Sequence, residues 1–235
     1  MSTTLVKGFK KQLKKIVHPT VRTLKPAPDL PTEPLSTKWG SDRGTPIDLH
    51  FINRFVEGNS HLVTGKVLEI KNRKFTNEYG QNVTTSDVLD IDPENPDANV
   101  IADLAAADNV PDNSYDCFIL TETLHLIYDF QSAIKHSHRF LKPGGTLLLT
   151  VPTLSPMDTE LSHLECWRFT KNSCTRMLQD AFVGGQVEVE AYGNYFSCSA
   201  FLTGLAKEEV DESLLQETSP TFIQGIVCRA TKAES

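Results

Sequence analysis

Short apolar runs that alternate with helical patterns constrain the fold of this chain most strongly. The first run, GKVLEI at residues 65–70, has the near-continuous apolar character of a central parallel strand that is covered on both faces. Four similar runs follow, at residues 86–91, 99–104, 115–120 and 146–151, with a helix predicted over about 130–141. Repeated β-α-β signals predict an α/β fold with a doubly wound, mostly parallel sheet.

The flanks of these runs complete the predicted domain. A helix over 46–57 leads into the first strand, with Pro46 near its first turn and Gly58 just past its end. After the fifth strand the pattern predicts, in order, a helix over 172–182, a strand over 186–191, a helix over 195–205 and a strand over 221–230. The sheet therefore has seven predicted strands, in a domain that we place at residues 38–235.

The amino-terminal part of the chain differs in composition from this domain. Residues 1–17 carry apolar side chains at helical spacing among lysines and predict a basic amphipathic helix, and residues 18–37 contain five prolines and predict an extended linker. Two roles stay open for the helix: packing against its own domain or a partner subunit, and peripheral contact with a membrane surface. Lysines interrupt every apolar stretch there, which argues against a secretory signal and favours a cytoplasmic location.

Charge and cysteine content exclude several classes of function. Residues 1–28 hold seven basic residues and no acid, so the other 207 residues hold 16 basic and 30 acidic ones. This acidic body argues against a nucleic-acid partner. The five cysteines show no CxxC pair or regular spacing, as expected of reduced thiols, and we predict no metal site.

The residues after each strand are the candidates for binding, because ligands of doubly wound sheets lie beyond the carboxyl ends of the strands. Glu69 and Lys71 close the first strand within EIKNRKFTNEYG, which has no glycine before Gly80 and so argues against a nicotinamide dehydrogenase. Asp90 closes the second strand, where a carboxylate can accept both hydroxyls of a ribose. Asp92 is the alternative residue for binding the ribose, or it is a turn residue before Pro93.

The strand motifs, in their order and spacing, resemble a known enzyme family. GKVLEI, DVLDID, IADL, NSYDCFILTETLHLIYD and RFLKPGGTLLLTVP together resemble the class I S-adenosylmethionine-dependent methyltransferases, over residues 65–152. The flanking WGSDRGTPIDLHFI, CWRFT and VEVEAYGNYFS resemble a bacterial subgroup associated with glycan and glycosyltransferase systems, which extends the similarity to residues 39–230. The resemblance implies a Rossmann-like methyltransferase fold, S-adenosyl-L-methionine as cofactor and a role in glycan biosynthesis.

The resemblance also implies roles for individual residues around the cofactor. Lys71 stands where the family has its first glycine, so the glycine loop is degenerate, and the dozen residues between the first two strands leave room only for a short crossover helix. The implied cofactor-binding residues are Glu69 at the start of the loop, Lys71 within it, Asp90 at the ribose, Asp103 and Leu104 near the adenine, and Thr121 at the methionine end.

A hydroxyl acceptor would be helped by a general base. Thr121, Glu122 and His125 follow the fourth strand, and His125 is the first candidate base; Asp158 and His163, in the loop after the fifth strand, are the others. Each of the two histidines could instead be a packed or solvent-facing side chain.

The loop after the fifth strand also offers candidates for binding the acceptor. Trp167 and Arg168 suit stacking on a sugar and hydrogen bonding to it, although a core tryptophan with a surface arginine is the alternative. Arg43 and Asp48, ahead of the first strand, are candidates to close over the site.

These observations favour a methyltransferase that acts on a small-molecule or saccharide hydroxyl. A binding module of the same fold, catalytically weak or silent, is the alternative from a different functional class, and it is favoured by the missing glycine. An unrelated doubly wound protein is the third possibility.

Overall fold

A computed structural model of the chain describes residues 31–234. The predicted helix over 1–17 and residues 18–30 of the predicted linker lie outside this range. Within it, Leu35 donates its backbone N–H to the carbonyl of Thr203 at 2.8 Å. No helix of the described residues is long and apolar enough to cross a membrane.

The described residues form one seven-stranded sheet with the order β3-β2-β1-β4-β5-β7-β6. Strands β1 to β5 pair in parallel, and β7 runs antiparallel to both β5 and β6. The strands are β1 (Gly65–Ile70), β2 (Val83–Asp90), β3 (Val100–Ile101), β4 (Tyr115–Thr121), β5 (Leu141–Pro152), β6 (Gln186–Tyr192) and β7 (Gly225–Thr231). The predicted doubly wound, mostly parallel sheet is confirmed.

Five α-helices accompany the sheet in the described range: α1 (Ile47–Gly58), α2 (Lys74–Tyr79), α3 (Phe130–Phe140), α4 (Lys171–Ala181) and α5 (Tyr195–Thr203). Helix α2, the crossover between β1 and β2, is only six residues long, as the short connection predicts. Helix α5 ends two residues before its predicted end, because Gly204 takes a left-handed φ of 77° that terminates the helix.

Other boundaries also differ from the sequence prediction. The predicted strand over 99–104 is reduced to Val100–Ile101, because the Asp103 carboxylate accepts the backbone N–H of Ala105 at 2.9 Å and starts a 3₁₀ turn at Leu104. Strand β2 begins three residues earlier than predicted and ends at Asp90, and β7 begins four residues later, at Gly225.

The sheet carries apolar side chains on both faces. Leu68, Phe118 and Leu149 point to the side where α3 and α4 pack, whereas Val67 and Ile119 point to the side of α1 and α2. This double coverage explains the continuous apolar runs in the sequence. The packing on both faces also holds the carboxyl ends of the strands in place, and the loops that follow the strands project from these ends.

Candidate functional site

A cleft of about 480 Å³ opens at the carboxyl ends of β1 and β4. From β1 the chain crosses to β2 on one side, and from β4 it crosses to β5 on the other, so these two strands form the switch point of the sheet. Such a point is where doubly wound sheets bind ligands. The polar residues that line the cleft include Asp48 of α1, Glu69, Lys71 and Lys74 after β1, and Thr121 and Glu122 at the end of β4.

Unusual backbone conformations are concentrated at this cleft. Five non-glycine residues of the described chain have a positive φ, and three of them line the cleft: Trp39 at 54°, Lys71 at 69° and Glu122 at 42°. The other two are asparagines, Asn82 and Asn113, which adopt this region more readily. A left-handed conformation costs an ordinary residue about 1–2 kcal/mol. Its occurrence at one cleft marks that cleft as a candidate functional site.

Glu69 organises the loop after β1. Its side chain is buried, and its carboxylate accepts the backbone N–H groups of Phe75 at 2.9 Å and Thr76 at 2.8 Å and the Thr76 hydroxyl at 2.6 Å. Burial raises the pKa of Glu69, and these hydrogen bonds oppose the rise. The predicted cofactor-loop residue thus holds the start of α2 in place.

Lys71 and Asp90 are joined by a residue to which the sequence analysis gives no role. The side-chain amide of Asn95 donates to the Lys71 carbonyl at 2.7 Å and to Asp90 Oδ2 at 2.6 Å. The other oxygen, Asp90 Oδ1, accepts the backbone N–H of Asp92 at 3.0 Å. The motif DPENP after β2 is the signal that could have identified this asparagine, because such sequences form turns that fold back on the strand end.

The other predicted cofactor residues follow neighbouring strands. Asp103 is exposed after β3, Leu104 beside it is buried in the core, and Thr121 lines the cleft. The strand order places β3 and β2 on one side of β1, with β4 on the other. Asp90 and Asp103 therefore follow adjacent strands, beyond the β1 side of the cleft.

Glu122 is the site residue to which sequence reasoning assigned no function. Its backbone N–H donates to the Thr150 carbonyl at 3.1 Å, and its carboxyl Oε1 accepts the Thr150 hydroxyl at 2.9 Å. Burial raises the pKa of Glu122 to about 8, and the charge of Asp48 adds to the rise. Burial also raises the pKa of Asp48 to about 6, against the opposing charge of Lys74. The cleft thus contains two electrostatically coupled carboxyl groups.

His125, the first candidate base, lies beside the segment that follows β5. Its carbonyl accepts the backbone N–H of Trp167 at 3.0 Å, and its buried Nδ1 has no hydrogen-bond partner among the described residues. Burial lowers the pKa of His125 to about 4, so the ring is neutral at pH 7. The cleft lining includes Thr121 and Glu122 but not His125.

The structure also places the candidate acceptor residues Trp167 and Arg168. Trp167 donates its indole N–H to the carbonyls of Ile127 and Tyr128, both at 3.1 Å, which fastens it to the segment after β4. Arg168 forms an ion pair with Glu165, and its charge acts on both Glu122 and His125. Trp167 and Arg168 therefore lie near the β4 end of the site.

Three further candidates are not brought to the cleft lining. The Asp158 carboxylate accepts backbone N–H groups of Glu160 at 2.7 Å and Leu161 at 3.1 Å within its own loop, and His163 is exposed. Arg43 donates to Glu209, with its Nε 2.9 Å from a carboxylate oxygen. Asp48, the other residue predicted to close over the site, does line the cleft.

Comparisons with known proteins agree on the fold. A family model described as "Methyltransferase domain" matches residues 50–182. None of the curated proteins gives a significant match.

Solved structures resemble the chain at low sequence identity. An S-adenosylmethionine-dependent methyltransferase from Mesorhizobium loti has a TM-score of 0.52 and 15% identity, and covers 79% of this chain and 98% of its own. A SAM-dependent methyltransferase from Archaeoglobus fulgidus has a TM-score of 0.52 and 12% identity, over 78% and 94%. The [4+2]-cyclase SpnF has a TM-score of 0.53 and 13% identity, over 82% and 85%. The same fold therefore carries different reactions.

Proposed function

Because this chain belongs to the methyltransferase-domain family, we propose that it transfers a methyl group from S-adenosylmethionine to a hydroxyl of a small molecule or saccharide. The family match spans residues 50–182, which is more than half of the 235-residue chain. The family match and the shared fold support a class I methyltransferase with S-adenosylmethionine as its methyl donor. The acceptor and the residue roles below are our proposal.

The cleft and its surroundings fit this cofactor. A volume of about 480 Å³ lies in the range of small-molecule sites. Asp90, at the end of β2, keeps lone pairs for ribose hydroxyls, because a carboxylate has about four acceptor positions and residues 31–234 donate only two hydrogen bonds to it. Asp48 and Glu122 would face the positively charged methionine end.

The sulfonium of the bound cofactor supplies an activated methyl group, so the protein mainly has to position the acceptor in line with it. Glu122 supports this proposal most directly. Its carboxyl lies at the end of β4 and is positioned by a hydrogen bond that it accepts from the Thr150 hydroxyl. When ionised, Glu122 would accept the proton of an acceptor hydroxyl. His125 is the second candidate for this role, as a neutral imidazole.

The surroundings of Trp167 support a hydroxylated acceptor. Tyr128 is 78% exposed and its ring centroid lies 5.8 Å from that of Trp167, and such an aromatic surface can stack on a sugar. Arg168 adds hydrogen-bond donors on the same segment, and Asp158 and His163 add polar groups in the loop before it. Together with the flanking motifs, these features support a saccharide and a role in glycan biosynthesis.

Two further parts of the proposal concern the location of the protein. We infer a cytoplasmic location from the lysines that interrupt the apolar positions of residues 1–17. The same basic segment would provide peripheral contact with an anionic membrane surface or with a protein partner.

Methyl transfer from a labelled donor into fractionated cell extract tests the function. We expect label in a fraction that periodate oxidation of vicinal diols degrades. Label confined to protein or nucleic acid would contradict the proposed acceptor class. Asp90→Ala is the control variant, because it should reduce labelling when the labelled donor is kept at a low concentration.

A catalytically silent binding module is the second candidate. Lys71 favours it, because this residue occupies the place of a glycine at which the family's backbone approaches the cofactor. Calorimetric binding of S-adenosylhomocysteine without labelling of any fraction would support the module and contradict the enzyme.

A further inference from the structure

The backbone of Lys71 is held in a conformation that favours glycine. Its φ is 69°, its N–H donates to the Leu89 carbonyl at 2.9 Å, and its own carbonyl accepts from Asn95 at 2.7 Å. These two bonds fix the residue between the ends of β1 and β2. A glycine would satisfy both bonds without strain. What the lysine adds at this position, compared with a glycine, is a side chain with an ammonium group.

The charges around the cleft indicate what that contribution is. Asp48, Glu69 and Glu122 are the acidic residues of the cleft lining, and the charge of Lys74 already acts on Asp48 and Glu69. Lys71 is exposed, lines the cleft and takes part in no ion pair within 4.0 Å among the described residues. An uncompensated ammonium group at a cleft is suited to bind an anion.

We propose that the Lys71 ammonium binds the carboxylate at the methionine end of S-adenosylmethionine. The inference rests on the proposed function, that is, on binding of this cofactor in the cleft. The methionine end is a zwitterion, and the cleft lining holds groups of both signs: the Asp48 carboxylate suits the ammonium, and the Lys71 ammonium suits the carboxylate. The charge–charge hydrogen bond to Lys71 would then replace the backbone contacts that a glycine loop provides.

Calorimetry with two ligands tests this assignment. S-adenosylhomocysteine carries the amino-acid carboxylate, and 5′-methylthioadenosine lacks the whole amino-acid group. We expect Lys71→Gln and Lys71→Gly to weaken binding of S-adenosylhomocysteine about tenfold or more, since hydrogen bonds to charged groups are the strong ones. Binding of 5′-methylthioadenosine should change by less than about twofold.

Thermal melting separates the side-chain effect from the backbone effect. Lys71→Gly should melt at the same temperature as the wild type or higher, because glycine relieves the left-handed strain. Asn82→Gly is the matched control: its φ is 54°, it lies outside the cleft lining, and it should leave binding of both ligands unchanged.

Three results would overturn the inference. If Lys71→Gly binds S-adenosylhomocysteine as tightly as the wild type or more tightly, the lysine obstructs the site or is indifferent to the ligand. If both ligands lose the same factor, Lys71 acts through the shape of the loop and not through the carboxylate. If the wild type binds neither ligand, the proposed function fails together with the inference.

Discussion

Glu122→Gln should make the protein less sensitive to alkaline pH. The substitution removes the titratable group at the end of β4 and keeps an amide oxygen that can still accept the Thr150 hydroxyl. In the folded chain burial raises the pKa of Glu122 to about 8, from an ordinary value of 4.5. Between these two values the folded chain holds a proton that the unfolded chain has released. Stability is therefore lost as the pH rises through this window.

The size of the effect follows from the width of that window. Each pH unit within it costs about 1.4 kcal/mol of folding free energy, so the full window corresponds to at most about 5 kcal/mol. Glu122 lies at a solvent-accessible cleft, and water there reduces the cost. We expect the variant to gain roughly 2–3 kcal/mol over the wild type between pH 5 and pH 9.

Urea denaturation at several pH values measures this difference. Groups that titrate independently of Glu122 are common to both proteins and cancel in the comparison. Glu94→Gln is the matched control, because it makes the same chemical change at an exposed position outside the cleft lining. Parallel profiles for Glu122→Gln and the wild type would refute the reasoning, because they would mean that Glu122 is ionised in the folded chain as easily as in the unfolded one.

The other predictions concern the loops around the cleft. Asp90→Ala should weaken binding of S-adenosylhomocysteine at least tenfold in calorimetry, and Asp92→Ala should do less; equal affinities for the wild type and Asp90→Ala would remove Asp90 from the ribose site. Asn95→Ala should weaken the same binding by a smaller factor, because Asn95 orients Asp90 and Lys71; unchanged affinity would show that both are positioned without it. Glu69→Ala should lower the free energy of unfolding by about 2–3 kcal/mol in urea, since two buried N–H groups lose their acceptor. Weaker binding with unchanged stability would instead make Glu69 a ligand-binding residue.

The centre of the fold could be predicted from the sequence, and its edges could not. Strand β1 has the predicted bounds, Gly65–Ile70, because a strand buried on both faces produces an uninterrupted apolar run. Strand β3 has two residues, because a side-chain acceptor at Asp103 competes with the strand ladder at an edge where packing is weak. Local hydrogen bonds of this kind leave no periodic signal.

The site could be located from the sequence, but the roles of its residues could not be assigned. The rule that ligands lie beyond parallel strand ends directed attention to the residues after β1 and β4, and residues there line the cleft. After β4 it could not separate Glu122 from His125. A strand alternates its side chains with a period of two, and the left-handed φ of 42° at Glu122 ends that alternation. Period-two alternation therefore could not tell which side chain after β4 lines the cleft.

Lys71 and Glu122, two of the cleft residues with a positive φ, have the same structural setting. Lys71 and Glu122 each follow a strand, and each is held by hydrogen bonds from the neighbouring strand or its loop: Leu89 and Asn95 for Lys71, and Thr150 for Glu122. A rigid sheet can impose an unfavourable φ on such a residue, whereas an isolated loop would relax. A lysine and a glutamate held in this way line one cleft, and Glu122 adds a negative charge to it once the pH exceeds its pKa of about 8. That arrangement costs stability in the free protein and matches a ligand whose own end is a zwitterion.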